Sequence, residues 1–494
     1  MKNMKLSEGR RMWVQFIILT LLMGLFVALI SGSLQIRRNI RAGVSLEDFR
    51  AHMDKRIPDL MKLYRIPGCN IALIHGHEIV WAKSFGYADL ESRRILTDNT
   101  PMSVQSITKS VTAWGVMKLA EKGLIDLDAP VMSYLTSWQF PQTDYAVEKV
   151  TIRRLLSHTA GMPIGDFTDI YSPGEGMPSL REKLTQEAIL FREPGTGFSY
   201  SNVGYHLLEL LIEDVTGRSF AEYMRSEVLI PLGMDAATFE VDNAMIQYPP
   251  TGYTLSGKPV PVYVYPQKAS GGLFATAEDV ARFALAGMQE NSVLGADYVG
   301  RMYAPESKQI GAYGLAFEGY GFGHYIETLP NGLRSFSHGG QGKGLMTHFQ
   351  IVPETGDAFV ILTNSQRSWP FISYLLSDWA KWLSFPTVGM ERIIWGHYGL
   401  SVVIGMLLSM SLLIIVRTIP AFRRQERTRT RLIHRLLRIG AALLLLGILV
   451  WSVCQQYLFI SSVFPVLSVW LGGAMLFLSV ALLLSSLFPV GNRE

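Results

Sequence analysis

Cysteine is nearly absent from this chain: Cys69 and Cys454 are the only two in 494 residues. The first lies in a stretch of ordinary soluble composition and the second in a long apolar run, so no disulfide framework is available to hold the fold. Charge is missing altogether from residues 12–36 and again from residues 439–492. About 20 apolar residues suffice to cross a bilayer, and runs of this length exclude a chain that is soluble throughout. No internal repeat is visible.

What charge there is sits unevenly. The formal net charge is +4, yet residues 42–416 carry 29 Lys and Arg against 38 Asp and Glu, a balance of −9, and the rest of the chain sums to +13. A nucleic-acid-binding surface needs its basic residues on the folded domain. Here they flank apolar runs, which excludes nucleic acid as a partner and points to membrane lipid and membrane topology instead.

Residues 12–36 follow Lys2, Lys5, Arg10 and Arg11. Ser31, Gly32 and Ser33 would permit cleavage, but the apolar core at 13–30 exceeds the roughly 7–15 residues of a cleaved signal, so residues 1–36 are expected to be a cytoplasmic N-terminus and a transmembrane signal anchor. Arg37, Arg38 and Arg41 on the far side leave its orientation open. A second span is expected at 398–416, and residues 417–438, with eight arginines against one glutamate, read as a cytoplasmic loop. An amphipathic surface helix at 423–438, with Leu432, Leu436 and Leu437 on one side, is compatible with this. Residues 439–488 hold two further spans, about 439–460 and 463–488, turning at Ser461-Ser462. With the arginine loop inside, residues 42–390 form an extracytoplasmic domain of a multi-pass protein of the cell membrane. Nothing in the sequence sets an oligomeric state.

Within that domain, 70–74 and 79–85 read as two strands of a hairpin turning at His75-Gly76-His77-Glu78. Helix signals follow from Ser106, at 151–157, at 202–216 and at 276–287, and strand-like runs return at 344–352 and 357–363. Residues 248–266, rich in proline, read as irregular. Strands at both ends with helices between them predict an α+β fold: a mixed antiparallel sheet of N- and C-terminal strands with a helical subdomain inserted, followed by transmembrane helices.

Three short stretches carry residues suited to nucleophilic chemistry. In Ser106-Ile107-Thr108-Lys109 the serine and lysine fall three apart on one helical face, close enough for the amine to take the hydroxyl proton. A lysine does this only when burial or neighbouring charge lowers its pKa, and the apolar run after Lys109 could desolvate it; a capping serine with a solvated lysine is the plainer reading of this motif taken alone. In the glycine-rich Glu193-Pro194-Gly195-Thr196-Gly197-Phe198-Ser199-Tyr200-Ser201-Asn202 the loop leads into a helix and presents Tyr200 at its start. A tyrosine beside a lysine cation can be held as phenolate and relay a proton; a core tyrosine with Asn202 as N-cap is the plainer reading. In Ser337-His338-Gly339-Gly340-Gln341-Gly342 the glycines let a substrate approach a strand edge and leave a main-chain N–H for an oxyanion; a tight turn with a satisfied histidine is the plainer reading there. His75 and His77 read as solvated, His158 as structural, and no metal or cofactor is called for.

Taken in order, Ser106-Ile107-Thr108-Lys109, Tyr200-Ser201-Asn202 and His338-Gly339-Gly340 resemble the three signature motifs of the serine hydrolases related to class C β-lactamases and penicillin-binding DD-peptidases. The stretches 153–163 and 269–280, and Gly86-Tyr87-Ala88-Asp89 after the hairpin, resemble segments typical of that superfamily, so the likeness spans about residues 44–385. It implies an α/β sandwich and an acyl-enzyme mechanism. Ser106 would be the nucleophile, Lys109 and Tyr200 would share proton transfer, and the main-chain N–H groups of Ser106 and Gln341 would form the oxyanion hole. Asn202 would bond Lys109 or substrate, and His338 with Gly340 would line an edge strand.

One departure bears on substrate. Where class C β-lactamases have Lys-Thr-Gly, this chain has His338-Gly339-Gly340, so a permanent cation for a β-lactam carboxylate is missing. The expectation is a membrane-anchored serine hydrolase acting on an amide or ester of the cell envelope, a DD-carboxypeptidase or D-alanyl esterase, with a cell-envelope peptide or ester as its substrate. The alternatives are a β-lactamase or penicillin-binding protein and, from another class, a non-catalytic membrane sensor or binding protein.

Overall fold

The hairpin is where the sequence places it. In a computed structural model describing residues 8–31, 40–242, 245–423, 432–455 and 458–487, strand β1 (Gly68–His75) turns through Gly76 and His77 into β2 (Glu78–Asp89). Both turn residues have positive φ, 57° and 66°, as a two-residue hairpin turn matching the strand twist demands. His75 is not simply solvated: its Nδ1 lies 2.6 Å from Asp357 Oδ1, a pair at the sheet's end.

The remaining strands are β3 (Arg94–Ile95), β4 (Met102–Ser103), β5 (Gly252–Tyr253), β6 (Pro259–Val260), β7 (Phe274–Ala275), β8 (Gly319–Tyr320), β9 (Tyr325–Thr328), β10 (Arg334–Gly342), β11 (Leu345–Val352) and β12 (Asp357–Thr363). Eight of them form one antiparallel sheet in the order β3-β2-β1-β12-β11-β10-β9-β8. β1 pairs with β12 from Cys69↔Thr363 to Ile74↔Ala358, so chain segments nearly 300 residues apart are joined at the sheet's centre. The expected α+β architecture, with strands from both ends and helices inserted between them, is what the chain adopts. The proline-rich stretch is not wholly irregular, because β5 and β6 pair within it.

Two corrections concern the strands around the third motif. Residues 334–342 are themselves a strand and not a lead-in to the late strands. Nor is that strand the sheet's edge: β9 and β8 lie beyond it. β9, however, pairs only from Arg334 to Ser337, so among the described residues no strand pairs with 338–342 on their outer side.

The helix Ile107–Glu121 runs through the middle of the domain, with Ile107 to Met117 all buried. Trp114, fully buried, meets Phe283 edge-on at 5.4 Å between ring centroids. The helix is buried on every side, polar residues Thr108, Lys109, Ser110 and Thr112 included, so the chain around it must supply their bonding partners. Helix Asn202–Thr216 packs beside it, capped by Ser201 and not by Asn202: Ser201 Oγ accepts the Gly204 N–H at 2.9 Å.

The chain divides into two units, Asn39–Glu391 and a second made of 1–38 with 392–494. Among its described residues the second contains four helices long and apolar enough to cross a membrane. They are Glu8–Ile30, Arg392–Arg423, Leu432–Cys454 and Pro465–Leu487, with the short helix Phe459–Val463 at the expected Ser461-Ser462 turn. Gly405 is packed so closely on Gly24 that a Cβ there would overlap its backbone, a close crossing of two apolar helices that small residues allow.

The helices differ from expectation at their ends. Helix Arg392–Arg423 runs past 416, and Leu432 to Arg438 open the third of these helices, so the surface helix expected at 423–438 is not a separate element; residues 424–431 lie outside the described residues, as do Gly32 and Ser33. Arginine is a good helix former whose apolar stem tolerates the end of a span. Arg435 Nε donates to the Ser486 carbonyl at 3.0 Å and Arg438 Nη1 to that of Ser485 at 2.9 Å, satisfying carbonyls at the end of the last helix.

Candidate active site

Ser106 stands at the N-cap of the central helix without capping it, so its hydroxyl is left for other chemistry. The residue before it, Gln105, has φ 53°, a left-handed conformation that is strained for a side chain with a Cβ. That elbow is buried and held: Gln105 Nε2 donates to Ser103 Oγ at 2.8 Å and Tyr263 OH at 3.2 Å, and its Oε1 accepts from Tyr265 OH at 3.0 Å.

Lys109, one turn on, has no exposed surface. Its Nζ lies 3.2 Å from Ser106 Oγ, 2.8 Å from Asn202 Oδ1 and 2.8 Å from the Ser270 carbonyl oxygen. Burial pushes its pKa well below the ordinary lysine value, which favours the neutral amine. A neutral amine has two N–H bonds and one lone pair. Asn202 and Ser270 offer only acceptors and occupy the two N–H bonds, so the lone pair is left facing the Ser106 hydroxyl. This arrangement can take a proton from Ser106 without a second base.

The Lys109 amine also lies 4.9 Å from the Tyr200 ring centroid. The sequence expectation made Tyr200 a phenolate on the strength of a lysine cation. Burial of Lys109 lowers its pKa and so works against that cation, which weakens the expected cause of a phenolate. Tyr200 is stacked among His158 at 4.4 Å, Tyr313 at 5.6 Å and His338 at 6.2 Å, centroid to centroid.

His338 is buried, with Nδ1 2.8 Å from the Gly339 carbonyl and Nε2 3.1 Å from Tyr320 OH. Burial pushes its pKa well below that of a free histidine, which favours the neutral ring. His158, also buried, accepts the Ser201 N–H at 3.1 Å through Nδ1, which supports the structural reading.

Gly340 explains why β10 comes so near the nucleophile. A Cβ there would overlap Thr347 Oγ1, the Val104 carbonyl and Gln105, so only glycine lets the strand lie against the segment before Ser106. Thr347 Oγ1 donates to that same Val104 carbonyl at 2.7 Å. Gln341 follows on β10, its Oε1 accepting the Trp369 indole N–H at 3.1 Å. Strand residues bond alternately to the two sides, so the stretch 338–342 offers an edge along which an extended substrate can lie.

The structure thus brings Ser106, Lys109, Tyr200, Asn202 and His338 together, with Gly340 and Gln341 on the adjoining strand. Sequence reasoning missed Gln105, Ser270, His206 and Glu209. Ser270 lies in a stretch already noted for its likeness to the superfamily, and His206 and Glu209 follow Asn202 on one helical face. Among the described residues no group of three or more His, Cys, Asp or Glu is placed to hold a metal.

A family model described as Beta-lactamase matches residues 53–373. The chain belongs to the β-lactamase family. Relatives include Protein flp of Staphylococcus aureus (strain N315), 29% identical over 226 residues and matched over 44% of each chain. Penicillin-binding protein 4* of Bacillus subtilis (strain 168) is 25% identical over 339 residues, covering 64% of this chain and 72% of that protein. Among solved structures, the octameric penicillin-binding protein homologue from Pyrococcus abyssi superposes with a TM-score of 0.58 at 27% identity, covering 71% of this chain and 81% of that one. The match to the first of these relatives takes in less than half of its length. The expected superfamily and its fold are borne out; the roles of individual residues rest on the geometry above.

Proposed function

We propose that the Asn39–Glu391 unit is a serine hydrolase that works through an acyl-enzyme on Ser106. The carrying observation is the Lys109 amine, buried and 3.2 Å from Ser106 Oγ, with both its N–H bonds engaged by Asn202 and Ser270. Ser106 Oγ attacks the substrate carbonyl carbon while its proton passes to Lys109 Nζ. The oxyanion so formed is received by the main-chain N–H groups of Ser106 and Gln341. The C–N or C–O bond then breaks, and the leaving group takes a proton relayed from Lys109 through Tyr200. Water hydrolyses the Ser106 ester, returning the serine hydroxyl and an acid.

The substrate we assign is an amide or ester of the cell envelope, of D-alanyl type. Two relatives named as penicillin-binding proteins support the class. The buried His338 offers no permanent cation to a substrate carboxylate, which argues against efficient β-lactam turnover. We further propose that the four apolar helices span the membrane with the arginine-rich stretch 417–438 in the cytoplasm, which puts the catalytic unit outside it.

The test is labelling by a fluorophosphonate or a fluorescent penicillin, followed by a screen of D-Ala-D-Ala peptides, short-chain esters and nitrocefin. Ser106→Ala is expected to abolish labelling with the thermal melt unchanged. Undiminished labelling of that variant would refute the nucleophile.

A further inference from the structure

We infer that His206 and Glu209 are positioning residues for catalysis, holding residues 268–270 so that the Ser270 carbonyl stays on the Lys109 amine. The inference rests on the reading of Lys109 as the base for Ser106.

Asn202, His206 and Glu209 are spaced four and three apart, which stacks them on one face of helix Asn202–Thr216. All three turn to the same business. Asn202 Oδ1 accepts from Lys109 Nζ at 2.8 Å. His206 Nε2 lies 2.9 Å from Ser270 Oγ. Glu209 Oε2 accepts the main-chain N–H of Lys268 at 2.6 Å and of Ala269 at 2.8 Å.

The central helix grips the same segment from its other side. Thr112 Oγ1 donates to the Ala269 carbonyl at 2.9 Å, and Thr108 Oγ1 accepts the Leu273 N–H at 3.2 Å. The segment is therefore clamped between the helix that carries Lys109 and the helix that carries Asn202, and both acceptors of the amine are set by one rigid frame.

A buried carboxyl group is unfavourable unless it is bonded. Glu209, 3% exposed, is bonded, and to backbone alone. Surface helix positions do not need such a residue. Its place is explained if the Ser270 carbonyl must not move: were it to drift, one N–H of the amine would turn towards Ser106 and the lone pair away from it.

The experiment measures acylation of the full chain by a fluorescent penicillin or fluorophosphonate, separating the limiting rate from the half-saturating probe concentration. Displacements of about 1 Å at a reacting group can lower rates on the order of 10²-fold. Glu209→Ala is expected to lower the limiting rate about 10- to 100-fold with little change in half-saturation. Glu209→Gln keeps an acceptor oxygen and is expected to restore most of the rate, which a merely structural contact would not distinguish. Ser270→Ala removes only the hydroxyl that His206 reaches and leaves the core intact, so it reports even where Glu209→Ala fails to fold; a several-fold slower limiting rate is expected. A wild-type limiting rate in Glu209→Ala, or in Ser270→Ala if the former does not fold, overturns the inference while labelling of Ser106 stands. If the wild-type chain is not labelled at Ser106 at all, the hydrolase reading falls and the inference with it.

Discussion

Lys109 Nζ donates to the Ser270 carbonyl oxygen at 2.8 Å, a contact between residues 161 positions apart. With Asn202 on the other N–H, it leaves a neutral amine one direction in which to accept a proton, towards Ser106.

Removing that amine is expected to be severe. General-base contributions run to about 10²–10⁴ in rate, and Lys109→Ala should lose acylation on that scale. Lys109→Arg should not recover it, because a guanidinium keeps its proton. Stopped-flow labelling of both variants measures the effect.

The rate should also depend on pH with a definite sign. Protonated Lys109 has no lone pair, so acylation falls as pH drops through the lysine's lowered pKa, and a plateau is reached above it. The rate profile of wild-type labelling from acid to mildly alkaline buffer checks this; a profile that falls with rising pH would contradict a neutral lysine base.

Glu209 makes a separate prediction for stability. Burial raises its pKa to about 8 against an ordinary 4.5, with the Lys268 and Ala269 N–H groups and the Lys268 charge opposing the rise and Glu213 adding to it. Between those values the folded chain holds a proton that the unfolded chain has lost, so this group's contribution to stability declines as pH rises through that window. Glu209→Gln, which mimics the protonated acid, should flatten this decline. Thermal melts of the two proteins from pH 5 to 9 read it.

Gly340→Ala is expected to cost activity out of proportion to its size. The added methyl would overlap Thr347 Oγ1 and the Val104 carbonyl, so β10 must back away from the Ser106 elbow. Overpacking of this kind typically costs about 1–3 kcal/mol, measurable by urea unfolding, and the labelling rate should fall at least about 10-fold from misplacement.

For topology, protease added outside intact cells is expected to cut within residues 42–390 and to spare 417–438. Cleavage in the arginine stretch would refute the orientation.

Much of this was legible in the residues. The β1–β2 hairpin followed from two strand-like runs on either side of His75-Gly76-His77-Glu78, and the helices at Ser106 and Asn202 from their apolar residues. The long apolar helices were legible as charge-free runs, though not their ends, because arginine at a helix terminus neither stops a helix nor leaves an apolar face. The insertion of β12 between β1 and β11 was not legible, since strand order depends on pairing between distant segments.

At the site the division is sharper. Spacing alone put Ser106 and Lys109 on one helical face, and motif order named Tyr200, Asn202, His338, Gly340 and Gln341. Spacing cannot give a protonation state. Burial of Lys109 favours the neutral amine over the cation, and the fold brings Asn202 and Ser270 to its Nζ; desolvation and contact between distant segments exist only once the chain has packed.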